Sequence, residues 1–411
     1  MLDRQYAAIA CNLCDGHEVT VLANAGRDGK PLRTVACNAC GLVWSDPRPH
    51  DAREFYREHY RRAYKNAFEP KARHVLRAGR VAAARFGLIR EWLQPRMRVL
   101  DVGSGGGEFA YLMQRSGHVV EGVEPNRGYA AYSVRHYGLN VHEGFIDDVE
   151  LPAQAYDLIT IWHVLEHTEH PLGVLQRLRA ALRPNGRLVV EVPNLEGPRR
   201  SRSSTFHEAH FYNFNDATLK ALGARAGLDL CAVTPSADGG NLLAVFTPGE
   251  AQAVPALVAG LQGNAQRAVN SVLGHSAWQY WLSARPYLRL LRQCWRPVSE
   301  GIALWRDIPA RRRLDSLFAN TLQPRPAAAA SPVWALVAGA YVLALIAEET
   351  LLDIYLPLRG WSEEQGFWLF AALLTSAATA AWMTMRGSRT RRQLARMGVF
   401  TAPLFALPIY C

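Results

Sequence analysis

The chain has 411 residues, 49% of them hydrophobic, so it can bury more than one core and is too long for one ordinary domain. Its net charge of +10 rests almost wholly on arginine, because only Lys30, Lys65, Lys71 and Lys220 are lysines; such a surface suits nucleic acid, membrane or an anionic substrate equally. Seven cysteines in a chain this long do not suggest a disulfide framework, and "MLDRQYAAIACNLC" lacks the apolar stretch of a secretory signal, so a reducing cytoplasm is expected around the thiols.

Residues 1–47 hold two Cys-x-x-Cys pairs, Cys11 with Cys14 and Cys37 with Cys40, and 22 residues separate Cys14 from Cys37. That spacing predicts a tetrahedral Zn2+ site with four thiolate ligands. Four thiolates close the coordination sphere and leave no place for an activated water, so the metal is expected to be structural. Residues 48–96 are arginine-rich and predicted helical, with Val75, Leu76, Val81, Leu88, Ile89 and Trp92 sharing one face. From 97 to 248 the apolar runs "MRVLDV", "HVVEGV", "YDLITIW", "GRLVVEV" and "NLLAVF" read as buried strands. Helical stretches such as "PLGVLQRLRAAL" separate some of them, which implies an α/β domain around a parallel sheet.

Residues 249–330 read as a basic helical region, and "QPRPAAAASP" as a linker. In 331–411, "VWALVAGAYVLALIA" and the uncharged 20-residue run "GFWLFAALLTSAATAAWMTM" are predicted to be membrane-associated. The arginines of "RGSRTRRQLAR" follow the second run and the acidic turn "RGWSEEQ" precedes it, which predicts a cytoplasmic catalytic domain anchored to the inner membrane.

The stretch "VLDVGSGGGEFAYLM" is a strand, a glycine turn and a helix. Gly103 and Gly105 permit a tight turn and a close ligand approach, and the helix start offers free N–H groups. A dinucleotide fingerprint needs glycine at position 108; Glu108 stands there and would repel a pyrophosphate, which argues against NAD(P) and FAD. Seventeen residues after Gly107, Glu124 ends the next strand, placed to accept from ribose hydroxyls.

"VLDVGSGGGEF", then "GVEPN", then the run from "GFIDDVELP" through "LRPNGRLVVEVPN", resembles class I S-adenosylmethionine-dependent methyltransferases across residues 97 to about 247. The resemblance implies a Rossmann-like seven-stranded sheet. It also implies a cofactor site in which Asp101, Gly103, Gly105 and Gly107 hold the methionine part and Glu124 the ribose. Phe145, Ile146 and Asp147 would hold the adenine, with Trp162 and His163 at the cofactor. The context "CGLVWSDPRP" resembles the N-terminal zinc module of bacterial methyltransferases of sugars and other small metabolites.

Methyl transfer to oxygen needs position and a base, which a histidine can supply. The segment "HEAHFYNF" resembles acceptor-binding segments of small-molecule methyltransferases. In the sugar C-methyltransferase pattern the run is His-Glu-His, and Ala209 is extra here. That leaves open which histidine matches, but "HFYNF" also resembles, without a gap, the His-x-Tyr-x-Phe run of small-molecule O-methyltransferases, so His210 is the first candidate base, with His207 and Glu208 second. Glu166 and His167 of "HVLEH" read as a structural motif beside the cofactor.

The expected activity is methyl transfer to an O or C atom of a small molecule, a sugar or a lipid-linked envelope metabolite among them. The alternatives are an RNA methyltransferase using the zinc ribbon and basic surface, or a membrane-tethered, non-catalytic cofactor-binding module. Nucleic acid is not the expected partner, since the Asn/Asp-Pro-Pro-aromatic motif of base-amino methyltransferases is replaced by "IWHVLEH".

Overall fold

The computed structural model describes residues 6–49, 69–199, 201, 204–274 and 308–323, with the isolated positions 296, 297, 300, 301 and 304. The elements in chain order are β1 (Tyr6–Ala7), β2 (Val19–Ala25), β3 (Pro31–Cys37), β4 (Val43–Ser45) and β5 (Arg48–Pro49). Then come α1 (Ala72–Ile89), β6 (Arg98–Val102), α2 (Glu108–Arg115), β7 (Val119–Glu124), α3 (Arg127–Tyr137), β8 (Asn140–Glu143) and β9 (Tyr156–Trp162). α4 (Pro171–Ala181), β10 (Leu182–Pro193), β11 (Tyr212–Asn213), α5 (Asp216–Arg225), β12 (Leu228–Pro235) and β13 (Asn241–Pro248) complete the α/β region, and α6 (Val254–Gly260), α7 (Asn264–Leu273) and α8 (Ala310–Leu322) follow.

The large sheet has seven strands in the order β12-β13-β10-β9-β6-β7-β8. β6 to β10 run parallel, and β13 runs antiparallel to both its neighbours. The Rossmann-like architecture expected from the motifs is thus present. The apolar runs are strands because they are central: β6, β9 and β10 are covered on both faces, and Val99, Leu100, Leu158, Ile159, Ile161 and Leu188 are inaccessible to solvent. The chain leaves β6 toward β7 on one side and reaches β9 on the other, so the carboxyl ends of β6 and β9 frame a crevice at the switch point.

A second sheet has the order β11-β4-β3-β2. Three strands come from the N-terminal module and the fourth from residues after β10: Tyr212 pairs with Trp44 and Asn213 with Val43. α7 lies against this sheet, its Ala268 and Val272 in one cluster with Leu22, Ala36, Val43 and Phe206. The cysteine module is built into the side of the α/β core.

α1 buries Val75, Leu76, Ala82, Phe86 and Ile89. The expected face is corrected at two positions: Val81 is 47% and Leu88 56% exposed. At roughly 100° per residue both lie well over 100° from Val75 around the helix. Val81 lines the central cavity instead.

The expected membrane association is also corrected. Among the described residues no helix is long and apolar enough to cross a membrane. The longest, α1, has 18 residues and carries Arg73, Arg77, Arg80 and Arg85; α8 has 13 and carries Arg311, Arg312 and Arg313. A span needs about 20 largely apolar residues. The structure therefore gives no ground for a transmembrane helix, a membrane partner or an inner-membrane anchor, and the two apolar runs of 331–411 lie outside the described residues.

Candidate functional site

A cavity of about 900 Å³ opens at the switch point, at the upper end of small-molecule pockets. The glycine turn forms its floor. Gly103 has φ +70°, and a Cβ there would lie 2.2 Å from Val164 Cγ2, so neither the conformation nor the space admits a side chain. The N–H groups of Gly103 and Ser104 donate to the Val123 carbonyl at 2.7 and 3.0 Å.

Glu124 is 2% exposed. It accepts from the backbone N–H of Gly105 (2.7 Å) and of Asn126 (3.0 Å). It thereby ties the turn to the end of β7. Asp101, beneath the turn, accepts from Thr160 Oγ1 at 2.7 Å, and burial pushes its carboxyl up to about 7.

Phe145, Ile146 and Asp147 follow β8 and line the same cavity, as do Trp162 and His163 at the end of β9. Trp162 packs edge-on to Phe109 with ring centroids 5.0 Å apart and lies under the Arg85 guanidinium at 4.7 Å. Ser104 Oγ and Trp162 Nε1, both on cavity-lining residues, are buried without a hydrogen-bond partner. Such atoms fit a wall that a polar ligand completes. Of the expected cofactor residues, Gly107 alone stands off the wall, where it packs against α3.

After β9 lies a cluster of acids and histidines. His163 has φ +56° and sits between two carboxylates, Nδ1 3.2 Å from Glu166 Oε1 and Nε2 2.9 Å from Glu191 Oε1. Burial alone would lower its pKa, but Glu166 and Glu191 outweigh that and hold it at about 9. Arg85 donates to the other Glu191 oxygen at 2.9 Å. His163 is thus an imidazolium at neutral pH, a clamp and not a base.

Glu166 is inaccessible to solvent, which would raise its pKa; the hydrogen bond from His163 and the nearby His167 and His210 hold it at about 2. Its Oε2 has no hydrogen-bond partner. One Glu166 oxygen and one ring nitrogen each of His167 and His210 lie within 4.8 Å of one another. His167 Nδ1 is 2.6 Å from the Ala209 carbonyl, and Nε2 is 3.8 Å from Glu166 Oε1. Burial, then His167, pushes His210 down to about 3.

His210 lines the cavity, whereas His207 and the exposed Glu208 do not. β4 places His210 from behind: Ser45 N–H donates to the Phe211 carbonyl at 3.0 Å, and Ser45 Oγ to the His210 carbonyl at 3.4 Å. Sequence reasoning missed Arg85, Glu191 and the cavity-lining face of α1. No spacing signal connects positions 85, 163 and 191; only the fold does.

The four cysteine sulphurs converge. Cys11 Sγ is 3.5 Å from Cys40 Sγ, Cys14 Sγ is 3.4 Å from Cys37 Sγ, and all four lie within 4.8 Å of one another. A tetrahedron with metal–sulphur bonds of about 2.3 Å has edges of about 3.8 Å, so the cluster could chelate a metal ion. Each pair sits in a tight turn, closed by Asp15 N–H to the Cys11 carbonyl and by Gly41 N–H to the Cys37 carbonyl, both 2.9 Å.

Comparison with known proteins agrees with the topology. A family model described as "Methyltransferase domain" matches residues 56–233. Among curated relatives, the ubiquinone biosynthesis O-methyltransferases of Haemophilus ducreyi and Histophilus somni are 32% and 34% identical over 107 residues, 24% of this chain and 45% of each of those proteins. The mitochondrial protein of that name from Schizosaccharomyces pombe is 32% identical over 102 residues, 23% of this chain and 36% of its own. The chain therefore spans less than half the length of these relatives.

Among solved structures, Burkholderia thailandensis 1,6-didemethyltoxoflavin-N1-methyltransferase gives a TM-score of 0.40 at 20% identity, covering 51% of this chain and 96% of that one. Synechocystis magnesium protoporphyrin IX methyltransferase gives 0.38 at 11% identity, covering 48% and 98%. Scores this low support no functional inference. The match of residues 56–233 to a methyltransferase domain, with the sheet order and the glycine turn, supports the Rossmann-like fold of S-adenosylmethionine-dependent methyltransferases.

Proposed function

We propose that this chain transfers a methyl group from S-adenosylmethionine to a hydroxyl oxygen of a small molecule. One observation carries the reading: a single cavity is lined both by the glycine turn and Glu124 and by Glu166, His167 and His210. When bound, the cofactor supplies an electrophilic methyl group on a sulfonium. Asp101, Gly103 and Gly105 would face its methionine part, Glu124 the ribose, and Phe145, Ile146 and Asp147 the adenine, with Trp162 and His163 also at the cofactor. Gly107 would shape the turn from beneath. The histidines His210 and His167 would take the acceptor's proton; His207 and Glu208 would support His210 from behind.

The O-methyltransferase names of the curated relatives support oxygen as the acceptor atom. Nothing in the cavity or the comparisons favours a sugar, a lipid-linked metabolite or RNA. Zn2+ in the four-cysteine cluster would be structural, since four sulphurs leave no ligand position open. The test is incubation of purified protein and methyl-labelled cofactor with separated small-molecule and RNA fractions of a cell extract. Label is expected in the small-molecule fraction as a mass gain of one methyl group. Label confined to RNA, or none anywhere, would sink the proposal.

A further inference from the structure

We infer that the acceptor is an anion, and that Arg73 and Arg77 of α1, joined by Arg296, recognise its carboxylate or phosphate group. This rests on the O-methylation reading above and names the substrate class of that same cavity.

The charged side chains of the cavity wall are sorted by element. Its acids, Asp101, Glu108, Glu124, Asp147, Glu166 and Glu169, come from the carboxyl ends of β6 to β9 or from the segments that follow those strands. Its arginines, among the described residues, come from α1 and from position 296. Neither is part of the large sheet, and Arg296 lies beyond the residues that match the family model. An acid-rich wall suits a cofactor that carries a sulfonium and an ammonium group. A basic wall suits an anion.

Arg73, Arg77, Val81 and Arg85 are spaced four apart, so they form one ridge of α1, and all of them line the cavity. The ridge runs about 18 Å from first to last. Its arginines are not equivalent. Arg85 is committed elsewhere: it donates to Glu191 at 2.9 Å, and its guanidinium lies over the Trp162 ring at 4.7 Å. Arg77 donates through Nε and Nη2 to the two oxygens of the buried Glu300 at 2.6 and 2.5 Å. The same carboxylate accepts from Arg296 Nε at 3.3 Å. Glu300 thus fixes two guanidiniums at the wall, and the pairing leaves further N–H donors on Arg77.

Arg73 is exposed on the cavity wall and makes no hydrogen bond or ion pair among the described residues. Local physics does not account for it. It stands in the first turn of α1, which has Lys71 at its N-cap and no acid. A cation there opposes the helix dipole, whose positive end it shares. A bound anion reverses the sign of that interaction, because it is attracted by Arg73 and by the helix end together. Guanidiniums one turn apart suit a carboxylate or a phosphate, whose oxygens accept paired N–H bonds.

The first test needs no acceptor. Pyrophosphate and succinate are titrated calorimetrically into the full chain loaded with S-adenosylhomocysteine, so that the cofactor's own carboxylate is already in place. Saturable binding of at least one is expected, weakened about 10-fold by Arg73→Gln and by Arg296→Gln. Arg80→Gln should leave it unchanged, since it removes the same charge from an exposed position of α1 off the cavity wall. No saturable binding of either anion, or an equal loss in Arg80→Gln, would overturn the inference. So would a loss of S-adenosylhomocysteine affinity in Arg73→Gln as large as its loss of anion binding, because the arginine would then serve the cofactor.

The second test uses labelled cofactor and the small-molecule extract. The labelled product should be retained on an anion exchanger at neutral pH, and a product that flows through would refute the inference. Retention lost after phosphatase treatment identifies a phosphate ester; retention that persists identifies a carboxylate. In Arg73→Gln the extract concentration for half-maximal labelling should rise about 10-fold while maximal labelling is kept. Absence of incorporation by the unaltered protein would defeat the O-methylation reading instead, and the titrations would still decide the anion site.

Discussion

At the scale of single residues, the cofactor turn shows why particular amino acids are required. Gly107 has φ +85°, and an added Cβ would stand 2.6 Å from Ser133 Cβ and 2.7 Å from Leu139 Cδ1. Gly107→Ala therefore combines a left-handed backbone, costing roughly 1–2 kcal/mol, with an overlap costing roughly 1–3 kcal/mol. Urea denaturation should show a loss of about 2–5 kcal/mol; a loss below about 1 kcal/mol would mean that α3 yields freely. The glycines and Glu124 were legible because their chemistry is local: a turn needs glycine, and a strand tip needs an acceptor. Long-range clamps were not. His163 and His167 lie four positions apart in one motif, yet one is pinned between two carboxylates and the other by a carbonyl 42 residues on.

At the scale of elements, the informative junction is β4 with β11. The cysteine module supplies three strands of the small sheet, and the segment carrying His210 supplies the fourth. Cys37 ends β3, and Cys40 lies three positions before the start of β4; the Cys40 carbonyl accepts from Asn264 Nδ2 at 2.8 Å. Loss of the cluster should therefore release β11 while sparing β6. In Cys37→Ser, bound metal measured by mass spectrometry should fall, and amide exchange at Tyr212 and Asn213 should accelerate with Leu100 and Val102 unchanged. Unaltered exchange at β11 after metal loss would refute the coupling. The cysteine spacing was plain in the sequence. The pairing was not, because a two-residue strand has no period to read. β8 and β12 were missed for a related reason: as edge strands they are half exposed and lack a continuous apolar run.

At the scale of the whole molecule, buried ionisable groups set the response to pH. His163 is raised to about 9, so its contribution is complete below its unfolded value near 6.5 and is lost as pH rises through 9. His207 and His210 are lowered to about 4 and about 3, so theirs is complete above 6.5 and lost as pH falls. Asp101, raised to about 7, opposes them on the acid side, which leaves a net uptake of about one proton on unfolding and a slope of about 1.4 kcal/mol per pH unit. Below pH 4.5 the loss steepens as Glu166, lowered to about 2, also counts. Stability should peak near pH 6.5, checked by urea midpoints from pH 4 to 9; a midpoint that rises steadily toward acid would contradict these assignments.

The sequence by itself determined the parallel sheet, the glycine turn, the place of Glu124 at the tip of β7 and the four cysteines that could chelate a metal. Each is written in consecutive or regularly spaced residues, and short-range sterics or ligand geometry fixes its meaning. The tertiary structure alone decided which acids face which histidines, that the cysteine module pairs with the short strand after His210, and which face of α1 turns to the cavity. Those outcomes depend on desolvation and on contacts between residues far apart in the chain, and neither leaves a periodic mark in the sequence.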